Sequence, residues 1–253
     1  FEGDTELEEG LVLTGQDSFI VRPDHFLLTV PDNPGATGPG GPVLGAAGAP
    51  FEINVAARNA RDAVTEKFGR ESSPEGVALD SAVFAPAGGN NPPMVGSFGS
   101  FGQDCAGSAA ANGTACGEFA WPEVGIVEIT PRLASGAYLG SEDVVGRTSD
   151  PVGRFIPASF NLSAGAITDR VEIDGCTATF SYIGEPFGVD FTLDARTVGG
   201  VTTANYEGAF ARLGAGALGL AADEDITVDA AMIDWNAGFG DVMATVHADR
   251  DQP

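Results

Sequence analysis

The chain has 253 residues, 36 of them glycine and 16 proline, and a formal net charge of −24 at neutral pH. Its length suits one large domain or two of ordinary size, and so many turn formers point to short strands rather than long helices. A surface this acidic repels nucleic acid and anionic membranes, whose phosphates are bound by clustered lysine and arginine, and excludes both as partners.

Eleven of the twelve basic residues are arginine, and Lys67 is the one lysine. The charge reads as a solvating coat that keeps the protein soluble, and it suits a salty medium where screening over about 8–10 Å blunts internal repulsion. Sixteen phenylalanines supply material for real cores. No apolar run approaches the length of a membrane-spanning helix. No basic-then-apolar signal segment opens the chain, an absence that does not place the protein in the cytosol.

Residues 1–17, with ELEEGLVLTG, read as the end of an upstream element. Residues 18–130 then form a first repeat and 153–253 a second, with 131–152 as a linker. FIVRPDHFLLTV (19–30) is echoed by FIPASFNL (155–162). Phe51, Ile53, Val55 and Ala57 alternate with polar or small residues, the period of a strand with one buried face. Phe187, Val189, Phe191, Leu193 and Ala195 do the same. Each strand enters a turn (NARDA, then TVGG) and leaves through a threonine-plus-aromatic step, Thr65 to Phe68 and Thr203 to Tyr206. Prolines 23 and 157 lie 134 residues apart, prolines 50 and 186 lie 136 apart, and Thr65 and Thr203 lie 138 apart. The tryptophans, Trp121 and Trp235, each sit near the end of a repeat and are expected at equivalent places. They read as core anchors with the indole N–H bonded to backbone, and stacking on a sugar is the alternative.

Between these strands, PDNPGATGPGGPVLGAAGAP (31–50) is expected as a long surface loop, because proline lacks a donor and glycine a side chain. A second insertion, 96–119, contains Cys105 and Cys116. With Asn112-Gly113 as a turn between them, these cysteines suit a disulfide-closed loop worth about 3 kcal/mol, and two reduced thiols are the alternative. A disulfide supports export. Cys176 has no evident partner. Recurrent short strands between Gly, Pro, Asn and Asp clusters, in segments near the size of a β-sandwich, give an all-β chain of two tandem, internally duplicated immunoglobulin-like or Greek-key domains.

Chemistry is scarce. No HExxH, paired CxxC, phosphate loop or GxSxG elbow occurs, and the histidines His25 and His247 are isolated, His25 more in keeping with a structural role. Asp223, Glu224, Asp225 and Asp229 cluster as calcium would prefer, but their spacing lacks the glycine and terminal glutamate of an EF-hand, and a chain so rich in acids clusters some by accident. Nothing selects a carboxylate pair for glycoside hydrolysis. Asn112-Gly113-Thr114 and Asn161-Leu162-Ser163 match the glycosylation pattern.

At FIVRPDHF, FAWPEVGIVEI, VGRFIPASF, TFSYIGEPF and TTANYEGAF the chain resembles the C-terminal region of MshQ-like proteins, encoded with the mannose-sensitive haemagglutinin type IV pilus of Gram-negative bacteria. The phrases follow the family's order across most of residues 18–213. The steps Trp121-Pro122-Glu123-Val124-Gly125 and Val152-Gly153-Arg154-Phe155 are its most specific parts. The resemblance implies an exported, surface- or pilus-associated polypeptide and carries over no catalytic residue. The expectation is therefore a non-enzymatic extracellular structural or adhesin-like module. Its partners would be other pilus or surface proteins or a glycan, and it needs no cofactor. A carbohydrate- or calcium-dependent binding module is the alternative.

Overall fold

The computed structural model describes residues 5–6, 12–13, 20–105, 111–169, 180–218 and 226–248. A short antiparallel pair, β1 (Thr5–Glu6) and β2 (Val12–Leu13), comes first. Then follow β3 (His25–Thr29), β4 (Gly45–Ala46), β5 (Phe51–Arg58), β6 (Val77–Ala85), β7 (Val95–Phe98), β8 (Thr114–Ala120), β9 (Gly125–Leu133) and β10 (Val152–Ile156). The last four strands are β11 (Ser159–Thr168), β12 (Phe187–Arg196), β13 (Ile226–Asn236) and β14 (Phe239–Ala248). The chain is all-β, with tandem β units as its sequence suggests.

The first unit is a sandwich of two four-stranded sheets, ordered β3-β5-β8-β7 and β4-β10-β9-β6. The alternation in β5 turns Ile53, Val55 and Ala57 inward, where they meet Val127, Ile129 and Leu133 of β9 and Val152 and Phe155 of β10. Trp121, just past β8, is fully buried against Phe155 with ring centroids 5.6 Å apart. The second unit's described residues give one four-stranded sheet, ordered β11-β12-β14-β13 and antiparallel throughout.

Residues 131–152, expected as a linker, belong instead to the first unit. They carry the end of β9, a 3-10 turn at Tyr138–Gly140 and the start of β10, and Leu133, Tyr138 and Val144 lie in the core. Apolar residues spaced among polar ones here reflect packing against a sheet rather than an exposed tether. The glycine- and proline-rich stretch 31–50 runs over the surface as expected, outside regular structure apart from β4, and is pinned at a few points. Gly45 and Ala46 pair in parallel with β10, Gly48 N–H donates to the Trp121 carbonyl at 2.8 Å, and Ala36 and Ala47 are buried. Backbone pairing needs no side chain, so small residues can hold this path.

The duplication is visible atom by atom. The Thr65 hydroxyl donates to the Ala57 carbonyl and the Thr203 hydroxyl to the Ala195 carbonyl, each at 3.1 Å. Arg58 bridges to Val64 as Arg196 does to Thr202. Ala57 N–H donates to Gly113 O at 2.9 Å and Ala195 N–H to Gly238 O at 2.8 Å. The tryptophans are not equivalent. Trp121 follows the turn glycine Gly113, whereas Trp235 lies in β13 and precedes its counterpart Gly238.

Candidate functional site

The two units meet at a joint built from distant parts of the chain. Ala36, Ala47, Val124 and Ile126 from the first unit pack with Ala195, Tyr206 and Phe210 from the second. Glu123 lies at its centre, 1% exposed. Its carboxylate accepts four N–H donors: Val124 N–H at 2.8 Å, Asn90 Nδ2 at 3.1 Å, Ala204 N–H at 3.0 Å and Asn205 N–H at 3.1 Å. A buried carboxylate is costly unless its lone pairs are filled, and here they are.

Asn205 completes the joint from the other side. Its Nδ2 donates to the carbonyls of Asn90 at 2.9 Å and Val124 at 3.0 Å, and its Oδ1 accepts Asn90 N–H at 2.6 Å. Glu123, Asn90 and Asn205 therefore form one satisfied network spanning both units. Such a network fixes orientation, because any rotation of one unit strips several buried donors at once. Sequence reading passed over Asn90 and Asn205. The one signal was an acid, Glu123, set between a tryptophan and the apolar run VGIVEI.

An aromatic trio borders the joint, with ring centroids 4.8 Å apart for Tyr206–Trp235, 5.5 Å for Phe160–Tyr206 and 5.6 Å for Phe160–Trp235. Trp235 is half-buried, its indole lies over Gly240 across the sheet, and its Nε1 donates to Leu213 O at 2.9 Å. That matches the expected bond to backbone. Trp121 departs from it: its buried Nε1–H meets no acceptor among the described residues.

The other residues singled out from the sequence lie apart from the joint. Cys105 and Cys116 form a disulfide at the β8 side of the first unit. That bond is compatible with an exported protein. Cys176, Asp223, Glu224 and Asp225 lie outside the described residues. Asp229 pairs with His247, carboxylate to Nδ1 at 2.9 Å. Among the described residues no group of three or more His, Cys, Asp and Glu side chains is placed to hold a metal ion.

His25 is buried, with Nδ1 at 2.9 Å from Asp24 and Nε2 at 3.0 Å from Asp62, the latter close but not aligned as a hydrogen bond. Arg147 approaches the same Asp62 oxygen at 3.4 Å. The ring is thus held between carboxylates on the edge of the first unit. Among the described residues no helix is long and apolar enough to cross a membrane.

Comparison with known proteins bears on the whole chain rather than on one residue. It matches none of the curated proteins. Residues 22–114 match the DUF6701 second domain and residues 123–245 the DUF6701 third domain. The match boundary falls beside Trp121, so β9 and β10 come from the third-domain stretch yet complete the sandwich of the second. The chain belongs to the DUF6701 family and carries its second and third domains in tandem.

Proposed function

We propose that the chain is a non-enzymatic, extracellular structural module of a pilus- or cell-surface-associated, adhesin-like protein. It holds neighbouring parts of that protein at a fixed distance and angle. The observation that carries this reading is the joint, a buried carboxylate with four donors contributed from both units. Such a network supports two β units moving as one body. The disulfide and the acidic, well-solvated coat support a place outside the cytosol. The exposed loops are the natural contact surface for other pilus or surface proteins.

Residual dipolar couplings together with small-angle scattering test the rigid-spacer role. One inter-unit orientation accounting for both data sets is expected for the native chain. A requirement for many orientations would overturn it. Free-thiol labelling of the protein recovered from its native cell surface tests the location, and reactive Cys105 and Cys116 there would count against export.

A carbohydrate-binding role is the second reading. It rests on Phe180 and Tyr182, which are 51% and 58% exposed and pack edge to face at 5.2 Å. Exposed aromatic faces are what sugar rings stack on. Glycan-array binding that disappears in Tyr182→Ala would favour it over the spacer.

A further inference from the structure

Four of the nine described arginines pair with carboxylates, Arg147 with Asp62 among them. Arg22 meets Glu142 at 2.9 Å, Arg132 meets Asp80 at 2.9 Å, and Arg196 meets Asp194. Arg154 and Arg212 are among the five described arginines that form no such pair. They flank the segment Pro39–Gly41, with Arg154 Nε donating to Gly41 O at 3.0 Å and Arg212 Nη1 donating to Pro39 O at 2.9 Å. Neither meets a carboxylate among the described residues, in a chain with 36 of them. Burial lowers the Arg154 pKa from its usual value, and the neighbouring Arg212 charge lowers it further.

Tyr206 adds a third donor. It is 4% exposed, and its hydroxyl oxygen already accepts Arg212 N–H at 3.2 Å and Leu213 N–H at 2.9 Å. The oxygen is filled, and the O–H hydrogen meets no acceptor among the described residues. Two guanidinium groups thus hold one loop, beside a buried phenol bonded to the Arg212 backbone, and the acceptors they meet are loop carbonyls. Each guanidinium spends one N–H on the loop and keeps further donors, Arg154 half-buried and Arg212 exposed, and an acceptor that carries negative charge would take them up.

We propose that the Arg154–Arg212–Tyr206 corner binds a single compact oxyanion, such as the carboxylate of an acidic sugar or a phosphate group. The planar guanidinium forks match the two-oxygen face of such a group. The net charge of −24 sets the size limit, because a polyanion would meet the repulsion of the whole surface while one small anion meets mainly the two arginines. The site draws on both units: Arg154 and the Pro39–Gly41 segment come from the first, Arg212 and Tyr206 from the second.

The test is an amide chemical-shift titration of the full chain with inorganic phosphate and, separately, with sodium glucuronate, at ionic strength held constant with chloride. Saturable shifts at Leu213, Arg212 and Gly41 are expected. Glucuronate alone producing them would identify an acidic sugar as the source of the oxyanion, and phosphate alone a phosphate group. Arg154→Gln and Arg212→Gln should each weaken binding about tenfold or more, the usual loss for a charge-assisted bond. Melting in chloride checks that the variants fold. Should either fail, Arg→Lys at the same position keeps the charge and loses the fork, and is expected to weaken binding several-fold. No saturable shift with either anion overturns the proposal. So does equal binding by native and variant chains, which would leave the arginines as staples for the Pro39–Gly41 segment.

Discussion

Glu123 and Asn205 hold each other across the joint: the Glu123 carboxylate accepts Asn205 N–H at 3.1 Å, while the Asn205 side chain donates to the adjacent Val124 carbonyl at 3.0 Å. Removing the carboxylate leaves several buried N–H groups without acceptors, each worth about 1–3 kcal/mol. Glu123→Ala is therefore expected to destabilise the chain by about 3–5 kcal/mol, measured by urea denaturation. The native chain should unfold in one transition, with Trp121 and Trp235 fluorescence changing together. In Glu123→Ala the two units should separate into distinct transitions. Equal stability in the variant would mean the joint contributes nothing.

Gly113 and Gly238 test the duplication directly. Both have positive φ, +73° and +85°, and a Cβ on either would run into a carbonyl oxygen, that of Thr65 or of Thr203. Each glycine carbonyl also accepts the N–H of the paired alanine, Ala57 or Ala195. Gly113→Ala and Gly238→Ala should each cost about 2 kcal/mol or more, from left-handed strain plus the clash. Thermal melts of the two variants check this. A large loss at one position and none at the other would break the equivalence.

That equivalence was legible because it rests on local pattern. The alternation in β5 marks a buried strand face, that in β12 buries Leu193 and Ala195 while Phe187, Val189 and Phe191 are half-buried, and the steps Thr65–Phe68 and Thr203–Tyr206 return in register, 138 residues apart. The tryptophans misled because two residues cannot define a register, and Trp121 and Trp235 prove to lie on opposite sides of their turn glycines. The surface course of 31–50 was legible in its composition, whereas the backbone bonds of Gly45, Ala46 and Gly48 that pin it were not, because composition reports side chains. The joint was illegible for a different reason. Asn90, Glu123 and Asn205 are far apart in sequence, and only the fold brings them together.

Tyr138 gives a pH dependence with a definite sign. Burial, the hydrogen bond its hydroxyl donates to Glu71 at 2.7 Å, and the negative charges of Glu71 and Glu75 all raise its pKa above the ordinary tyrosine value. The folded chain thus keeps a proton that the unfolded chain loses near pH 10. Stability from Tyr138 is complete below about pH 10 and is lost as pH climbs from there toward the raised folded value. Burial raises Tyr206 in the same direction. Melting temperatures between pH 9 and 11.5 should fall more steeply for the native chain than for Tyr138→Phe. Parallel curves would mean Tyr138 does not hold its proton.

The boundary between the two family domains yields the last prediction. The second-domain match ends at residue 114 and the third begins at 123, yet β9 and β10 supply half of one sheet in the first sandwich. Val127, Ile129, Leu133, Val152 and Phe155 all lie in its core, and Phe155 packs on both Phe51, at 5.3 Å, and Trp121, at 5.6 Å. A fragment of residues 20–122 would expose the inner face of β5 and leave Trp121 without its ring partner. It should show no cooperative melt and a poorly dispersed amide spectrum, whereas a fragment of residues 20–158 should fold. In the full chain Phe155→Ala should cost about 3–5 kcal/mol, as for other buried phenylalanines, and lower the stability of the first unit although it sits in the third-domain stretch. A folded 20–122 fragment would show that the family boundary is also the structural one, and that β9 and β10 merely lean on a unit complete without them.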